Sequence, residues 1–493
     1  MLKKETNPAE AVYPDTGIEI LSEDIIVNYN TTPSGTIAGN RSKNLRPIKN
    51  KIEPIEGSVE MLVEPKTFGH LLTGVLGEGT DSTLEADTVW QHLFEPANVL
   101  QTYTIDVKLA GEDFVKRFIG TRISKAEFSI DENKWKVTIG IMAQKAFTNA
   151  RVASDVSSGT DLLLDQTTGL TTNDTLTILN KTDPDTEIAD LTVATITDEN
   201  TLVVSTISDA ITEDDIVVIA AQTPSFDLSK EFIWAGGAKV FIANGQHGMQ
   251  NLSTASNIET FELSIVNELD ARYSATGNNV IDRFSSAILL KGIEITGKFS
   301  KYFENPNFID MLREDEQLAL RFDFLGVKLS DNAESSASAT IETDGTDTIS
   351  ITVDTAGEDG NDYAVVFTED NASLSASLSS KLITVNLDTV GANNTTTLVA
   401  SAINGLSGIS TTDTGTDLVD TASNVSKIYF ADGRDANEIE KLRFNLPNIR
   451  LNPFGQTLGN DDTIVEEIEF VAYRDENDER EIEIMLRNDT SSY

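Results

Sequence analysis

Three histidines, His70, His92 and His247, are all the imidazoles this chain has, and it contains no cysteine. Thiol catalysis and Cys-ligated zinc or iron–sulfur sites are therefore excluded, as is a small disulfide scaffold. The histidines stand apart in the sequence. His70 falls within an apolar helical stripe, the setting of a packing histidine rather than of a ligand or base. No GxSxG, P-loop, HExxH or Rossmann pattern occurs. Carboxylates are so abundant, 80 Asp and Glu against 37 Lys and Arg, that a pair picked out for acid–base work carries no specificity. The acidic turns Asp183–Glu187 and Asp475–Glu481 have the oxygens for Ca2+ but not the EF-hand spacing with glycine at its sixth position. Solvated turn acids are the simpler reading. No catalytic, cofactor-binding or metal-binding residue is assigned, and the chain does not read as an enzyme.

One local feature stands out against the net charge of −43. The segment Thr31–Pro54 reads as a long loop and holds Arg41, Lys43, Arg46, Lys49 and Lys51, the only dense basic cluster. It has no interleaved aromatics, and the protein around it is strongly acidic, so nucleic-acid contact is disfavoured. An anionic membrane surface is disfavoured for the same reason. Docking onto the acidic face of another subunit uses this contrast of charge directly; a merely solvated loop is the plain alternative.

The elements that would carry such a loop are organised around Gly57–Gly77. Val59, Met61 and Val63 alternate with Ser58, Glu60 and Leu62, the period of a half-buried strand. After Pro65, suited to a helix start, Phe68, Leu71, Leu72 and Val75 form one apolar stripe that Gly77 ends. A similar unit recurs at Gly292: Ile293, Ile295, Gly297 and Phe299 alternate, then Pro306 precedes a short stripe at Ile309 and Leu312. Upstream, Ile26-Val27-Asn28 answers Ile265-Val266-Asn267, and Gly39-Asn40 answers Gly277-Asn278. These landmarks keep nearly constant spacing, which indicates a duplicated domain.

Taken in order, residues 1–20 read as an extended arm, disordered or ordered only against a partner, with no apolar run of the kind a signal peptide has. Residues 21–150 hold the first copy, with strands expected at Asp24–Tyr29, Thr102–Leu109, Phe114–Ile119, Ser124–Ile130 and Trp135–Ala143, and a turn-rich stretch after the helix. Trp135, Val137, Ile139 and Ile141 share one face of the last strand. This is an antiparallel β-barrel or sandwich. Residues 151–225, rich in Ser, Thr and Asp, make a small all-β module. Residues 226–330 begin the second copy, which stops after LALRFDF and resumes over 427–493, where KLRFNLPNIRLNP answers TRISKAEFSI. Between them, residues 331–426 form a β-rich insertion with strands at Ser338–Glu342, Thr348–Val353, Tyr363–Thr368 and Leu382–Leu387, and a helix at Thr396–Asn404. It is expected to face solvent and to tolerate removal.

An IVN-type strand, a long loop, a glycine-led strand, a P-x-x-[FI]-x-x-L helix and a closing amphipathic strand together resemble the tail tube proteins of long-tailed bacteriophages. The resemblance covers residues 20–150, and 258–330 with 427–490 more loosely. It implies a mainly β chain with two tandem tail-tube-like antiparallel barrel or sandwich domains, each flanked by one helix, plus two small β-rich modules. It also implies stacked rings, three chains per ring with pseudo-sixfold symmetry, around an acidic lumen that conducts DNA without binding it. On that resemblance the loop Thr31–Pro54 matches the inter-ring loop. The partners are other copies and the tip, tape-measure and terminator proteins, with no cofactor and no membrane, and the chain is assembled in the host cytoplasm into the virion tail. A β-modular adhesin or carbohydrate-binding protein, or another tail component of the same fold, is the alternative.

Overall fold

The computed structural model describes residues 1–26, 32–37, 43–48, 55–85, 89–108, 113–224, 226, 229–244, 248–255, 258–272, 285, 287–302, 310, 313–314, 317–329, 334–343, 345–371, 373–419, 427–431, 433, 438–453, 456–458, 464–474 and 480–493. The chain is mainly β, and its sheets are almost wholly antiparallel. In the first half the strands are β1 (Leu2–Lys4), β2 (Ser22–Glu23), β3 (Thr32–Ile37), β4 (Lys43–Ile48), β5 (Ile55–Leu62), β6 (Thr80–Glu85), β7 (Val89–Phe94), β8 (Tyr103–Lys108), β9 (Phe114–Asp131), β10 (Lys134–Ala143) and β11 (Lys145–Phe147). In the second half they are β12 (Ile258–Arg272), β13 (Ala287–Tyr302), β14 (Leu318–Lys328), β15 (Ile439–Leu451), β16 (Gln456–Leu458), β17 (Ile464–Ala472) and β18 (Glu483–Asn488).

Helix α1 spans Phe68–Leu76. It starts later than Pro65 suggests, because the Glu64 carboxylate accepts the N–H groups of Lys66 and Thr67 and holds a turn there. Its end is where expected: Gly77 takes a φ of 114° and donates its N–H to the Thr73 carbonyl at 3.0 Å, a conformation that favours glycine. The buried face carries Phe68, Leu71, Leu72 and Val75, the residues of the stripe. The counterpart helix after Pro306 falls largely outside the described residues, of which Asp310, Arg313 and Glu314 are helical.

The same partners recur in both halves. In the first, β2 pairs with β5, β5 with β10, β10 with β9, and β9 with β8. In the second, β12 pairs with β13, β13 with β17, β17 with β15 and β16, and β15 with β14. The registers agree as well. Ser22 faces Glu60 and, 239 residues on, Phe261 faces Phe299. Gly57 faces Ile141 as Thr296 faces Val471, and Arg122 faces Met142 as Ile449 faces Ala472. This pairing corrects two sequence matches. Gly57 corresponds to Thr296 rather than to Gly292, and Thr121–Ile130 to Asn448–Thr457, seven residues beyond KLRF. A match of glycines ignores the register that hydrogen bonding imposes.

Three other expectations change. Phe114–Ile119 and Ser124–Ile130 are one strand, β9, bent at Gly120, whose φ is 63° and whose missing Cβ leaves room for Gln144. The turn-rich stretch after α1 is the hairpin β6–β7, and β7 pairs with β18 near the end of the chain. The arm is ordered against its own chain: β1 pairs with β8, and the Glu5 carboxylate accepts from Gly120 N–H and Thr104 Oγ1 at 2.8 and 2.9 Å.

The halves join where Leu263–Val266 of β12 pairs with Lys125–Phe128 of β9. Behind this seam lies one apolar core drawn from both halves. Trp135, fully buried, stacks on Phe128, Phe261 and Phe324 at 5.7, 5.6 and 4.6 Å between ring centres, and meets Phe444 edge-on. The two modules keep cores of their own. Residues 151–225 are all-β as expected, with strands at Gly159–Leu163, Thr175–Asn180, Asp183–Ile196, Thr201–Ile207 and Ile216–Ala220, and the insertion's helix α2 spans Thr396–Asn404 as expected. Trp135→Ala is expected to cost about 3–5 kcal/mol and to lower the urea midpoint of both halves together in a single transition followed by fluorescence and circular dichroism. Separate transitions would mean two independent cores.

Candidate functional site

The basic segment is not a plain loop. Thr32–Ile37 and Lys43–Ile48 form an antiparallel ribbon with Thr32 opposite Ile48 and Ile37 opposite Lys43. Its strands pair with each other and with no other strand among the described residues. Lys43 and Arg46 lie on β4; Arg41, Lys49 and Lys51 lie outside the described residues. The loop reading failed because proline at 33 and 47 hides a ribbon whose strands face no third strand, where a missing N–H costs nothing.

Two of the histidines come together around one tyrosine. His70, on α1, and His92, on β7, both pack on the ring of Tyr493, at 5.0 and 4.8 Å. The two histidines that looked unrelated in sequence thus share one neighbour. Burial holds the His70 imidazole below its ordinary pKa. His92 sits between the Asp81 carboxylate at 2.7 Å and the Thr490 carbonyl at 2.9 Å. His247 lies outside the described residues. Asp183–Glu187 is exposed, with Asp183 accepting from Thr186, and among the described residues no cluster of His or carboxylate side chains is arranged to hold a metal. Tyr363 and Phe367 rest against the insertion's own core rather than forming a sugar-binding platform.

Charge inside the fold is used to tie modules to the central sheet. Arg117 of β9 is wholly buried and makes a bidentate pair with Asp106 of β8, at 2.7 and 2.8 Å, and a second with Asp174 of the first module, at 2.7 and 2.9 Å. Burial alone would disfavour its charge, but the two carboxylates raise its pKa above the ordinary value. Across the molecule, one 3-10 turn of the insertion, Glu358–Asp362, plugs into the second half. Glu358 meets Lys441, Arg443 and Arg487, while Asp362 meets Arg321 and Lys381. Arg443 is also held by Asp323 at 2.8 and 2.9 Å. Burial would raise both turn carboxyls; the facing guanidinium and ammonium groups outweigh it, so Glu358 sits well below the carboxylate range and Asp362 at about 2.

These groups went unassigned in the sequence, although a signal was there. FVKRFIG, LALRFDF, KLRFNL and EIMLR each set an arginine among apolar strand residues, and a cation in that place needs a buried acid. The insertion is therefore anchored by ions as well as by its chain links. Arg117, Arg443, Glu358 and Asp362 thus find their charge partners inside the fold. What the surface offers is the ribbon and strand edges. No protein-family model matches this chain, and no curated protein matches it.

Arg117→Met should cost about 3–5 kcal/mol by stranding Asp106 and Asp174, and Arg117→Met/Asp106→Leu/Asp174→Leu should recover most of that loss in urea unfolding. Asp362 has a pKa depressed from 3.8 to about 2. It therefore contributes stability, about 2 kcal/mol, that is fully present above pH ~4 and is lost as pH falls toward 2. Unfolding titrations between pH 5 and 2 should show this decline, and Asp362→Asn should make it shallower, leaving the part due to Glu358.

Proposed function

We propose that this chain is a structural subunit that assembles with copies of itself into a hollow tube, of the kind made by the tail tube proteins of long-tailed bacteriophages. In this reading the two halves are tandem tube domains, residues 21–150 and residues 226–330 with 427–493, each a barrel or sandwich with one flanking helix. The modules 151–225 and 331–426 decorate the outside. The observation that carries the proposal is the recurrence of one strand-pairing order in both halves at matching register. A chain built from two equivalent halves fits a ring in which each half occupies an equivalent place, so three chains supply six.

Charge supports the same reading. A net charge of −43 repels phosphate, as a conduit for DNA requires. The ribbon supplies the contrasting cationic element with which one layer docks on the next.

Solution mass and negative-stain microscopy of the purified chain test the proposal. Rings or hollow tubes with three chains per layer are expected, and a monomer at every concentration, even with tail-tip complexes added, would count against it. Lys43→Glu with Arg46→Glu should leave rings but abolish tubes; tubes of unchanged length would remove the ribbon from layer docking.

A further inference from the structure

The seam inside the chain identifies the seam between chains. Within the chain, Ile265 of β12 faces Ala126 of β9, and both are buried, at 0% and 1% exposure. The recurrent registers give each of these residues an equivalent in the other half. Ile26 answers Ile265, since Ile26 bridges Glu56 as Ile265 faces Ile295. Pro453 answers Ala126, since Ile449 and Thr457 on either side of it hold the places of Arg122 and Ile130. Among the described residues neither equivalent has a strand on its second side. Ile26 is 57% exposed and Pro453 is exposed. Farther back along the same edge, Leu21 and Ile20 are exposed too. One sheet position is thus sealed in one half and open in the other.

We infer that the open positions seal each other between two copies: Ile26 of one chain lies opposite Pro453 of the next in an antiparallel pairing, as Ile265 lies opposite Ala126 within the chain. This rests on the self-assembly reading and names the surface it uses. The chemistry of both edges fits. Among the described residues β2 is paired on one side only, with β5, and Asn452 is held on one side only, by the carbonyl of Glu469 at 2.9 Å. The Ile25 N–H is occupied by the carboxylate of Glu23, at 3.0 Å, a self-made cap that an incoming strand displaces. Proline on the opposing edge limits random strand addition. It costs no bond to Ile26, whose own N–H is given to the Glu56 carbonyl at 3.1 Å, so the two residues meet as a non-hydrogen-bonded pair and apolar burial of Ile26 remains available. The two edges lie on different halves, so the contact is heterologous and propagates head to tail until it closes a ring.

Because the chain has no cysteine, disulfides read this contact cleanly. Directly opposed residues of an antiparallel pair have Cα atoms about 4.5–5.5 Å apart, within reach of a disulfide. Ile26→Cys and Pro453→Cys chains are mixed and oxidised, with Ile26→Cys plus Val99→Cys as the background pair, Val99 being 69% exposed and off both edges. The expected result is a two-chain covalent product at least several-fold above background, and, from the Ile26→Cys/Pro453→Cys chain, a ladder that stops at the ring size. Assembly in solution with product only at background would overturn this seam and leave self-assembly standing. A monomer at every concentration with no product would remove both.

Discussion

A peptide edge in a β-sheet carries N–H and C=O groups that must find partners, and the whole fold is arranged around one strand that meets this demand on both sides. β9 is 18 residues long and is paired along its length by β8, β10, β11, β12 and a strand of the first module. Its bend at Gly120 lets its first part belong to one sheet and its second part to another. Everything placed against it inherits a fixed register: the arm through β8, the second half through β12, the module through Ile219 and Ala220. The core around Trp135 exists because that seam brings aromatics of both halves to one place.

Buried charge does a different job. Apolar packing is tolerant of small rotations, whereas a bidentate guanidinium–carboxylate pair is satisfied in one geometry. Arg117 therefore fixes where the first module sits, and the Glu358–Asp362 turn fixes where the insertion sits. Such pairs gain little net free energy over apolar replacements. Their contribution is orientation.

The two halves agree most in the pairing of their strands and differ most in what fills the gaps. The first half has a ribbon between β2 and β5, the second has an insertion between β14 and β15. Both lie in connections, where added chain leaves the ladders intact. The C-terminal strand β18 closes on β7, so the end of the second half is stitched to the first.

The sequence by itself determined the β-rich class, the strands with a strict period of two, helix α1 and its glycine stop, the separate character of the two Ser/Thr/Asp-rich blocks and the pairing of β14 with β15 across the insertion. Those features are set by neighbours within a few residues or by composition, and Trp135, Val137, Ile139 and Ile141 all turned inward as their alternation required. Only the tertiary structure decided the register of the repeat, the seam between the halves and the ion pairs of Arg117 and Glu358. Register depends on hydrogen bonds between strands distant in sequence, such as Thr296 against Val471, and an arginine in an apolar strand does not say which of 80 acids will reach it. The ribbon was hidden for a related reason: among the described residues it pairs with no third strand, so its sequence shows no strict alternation.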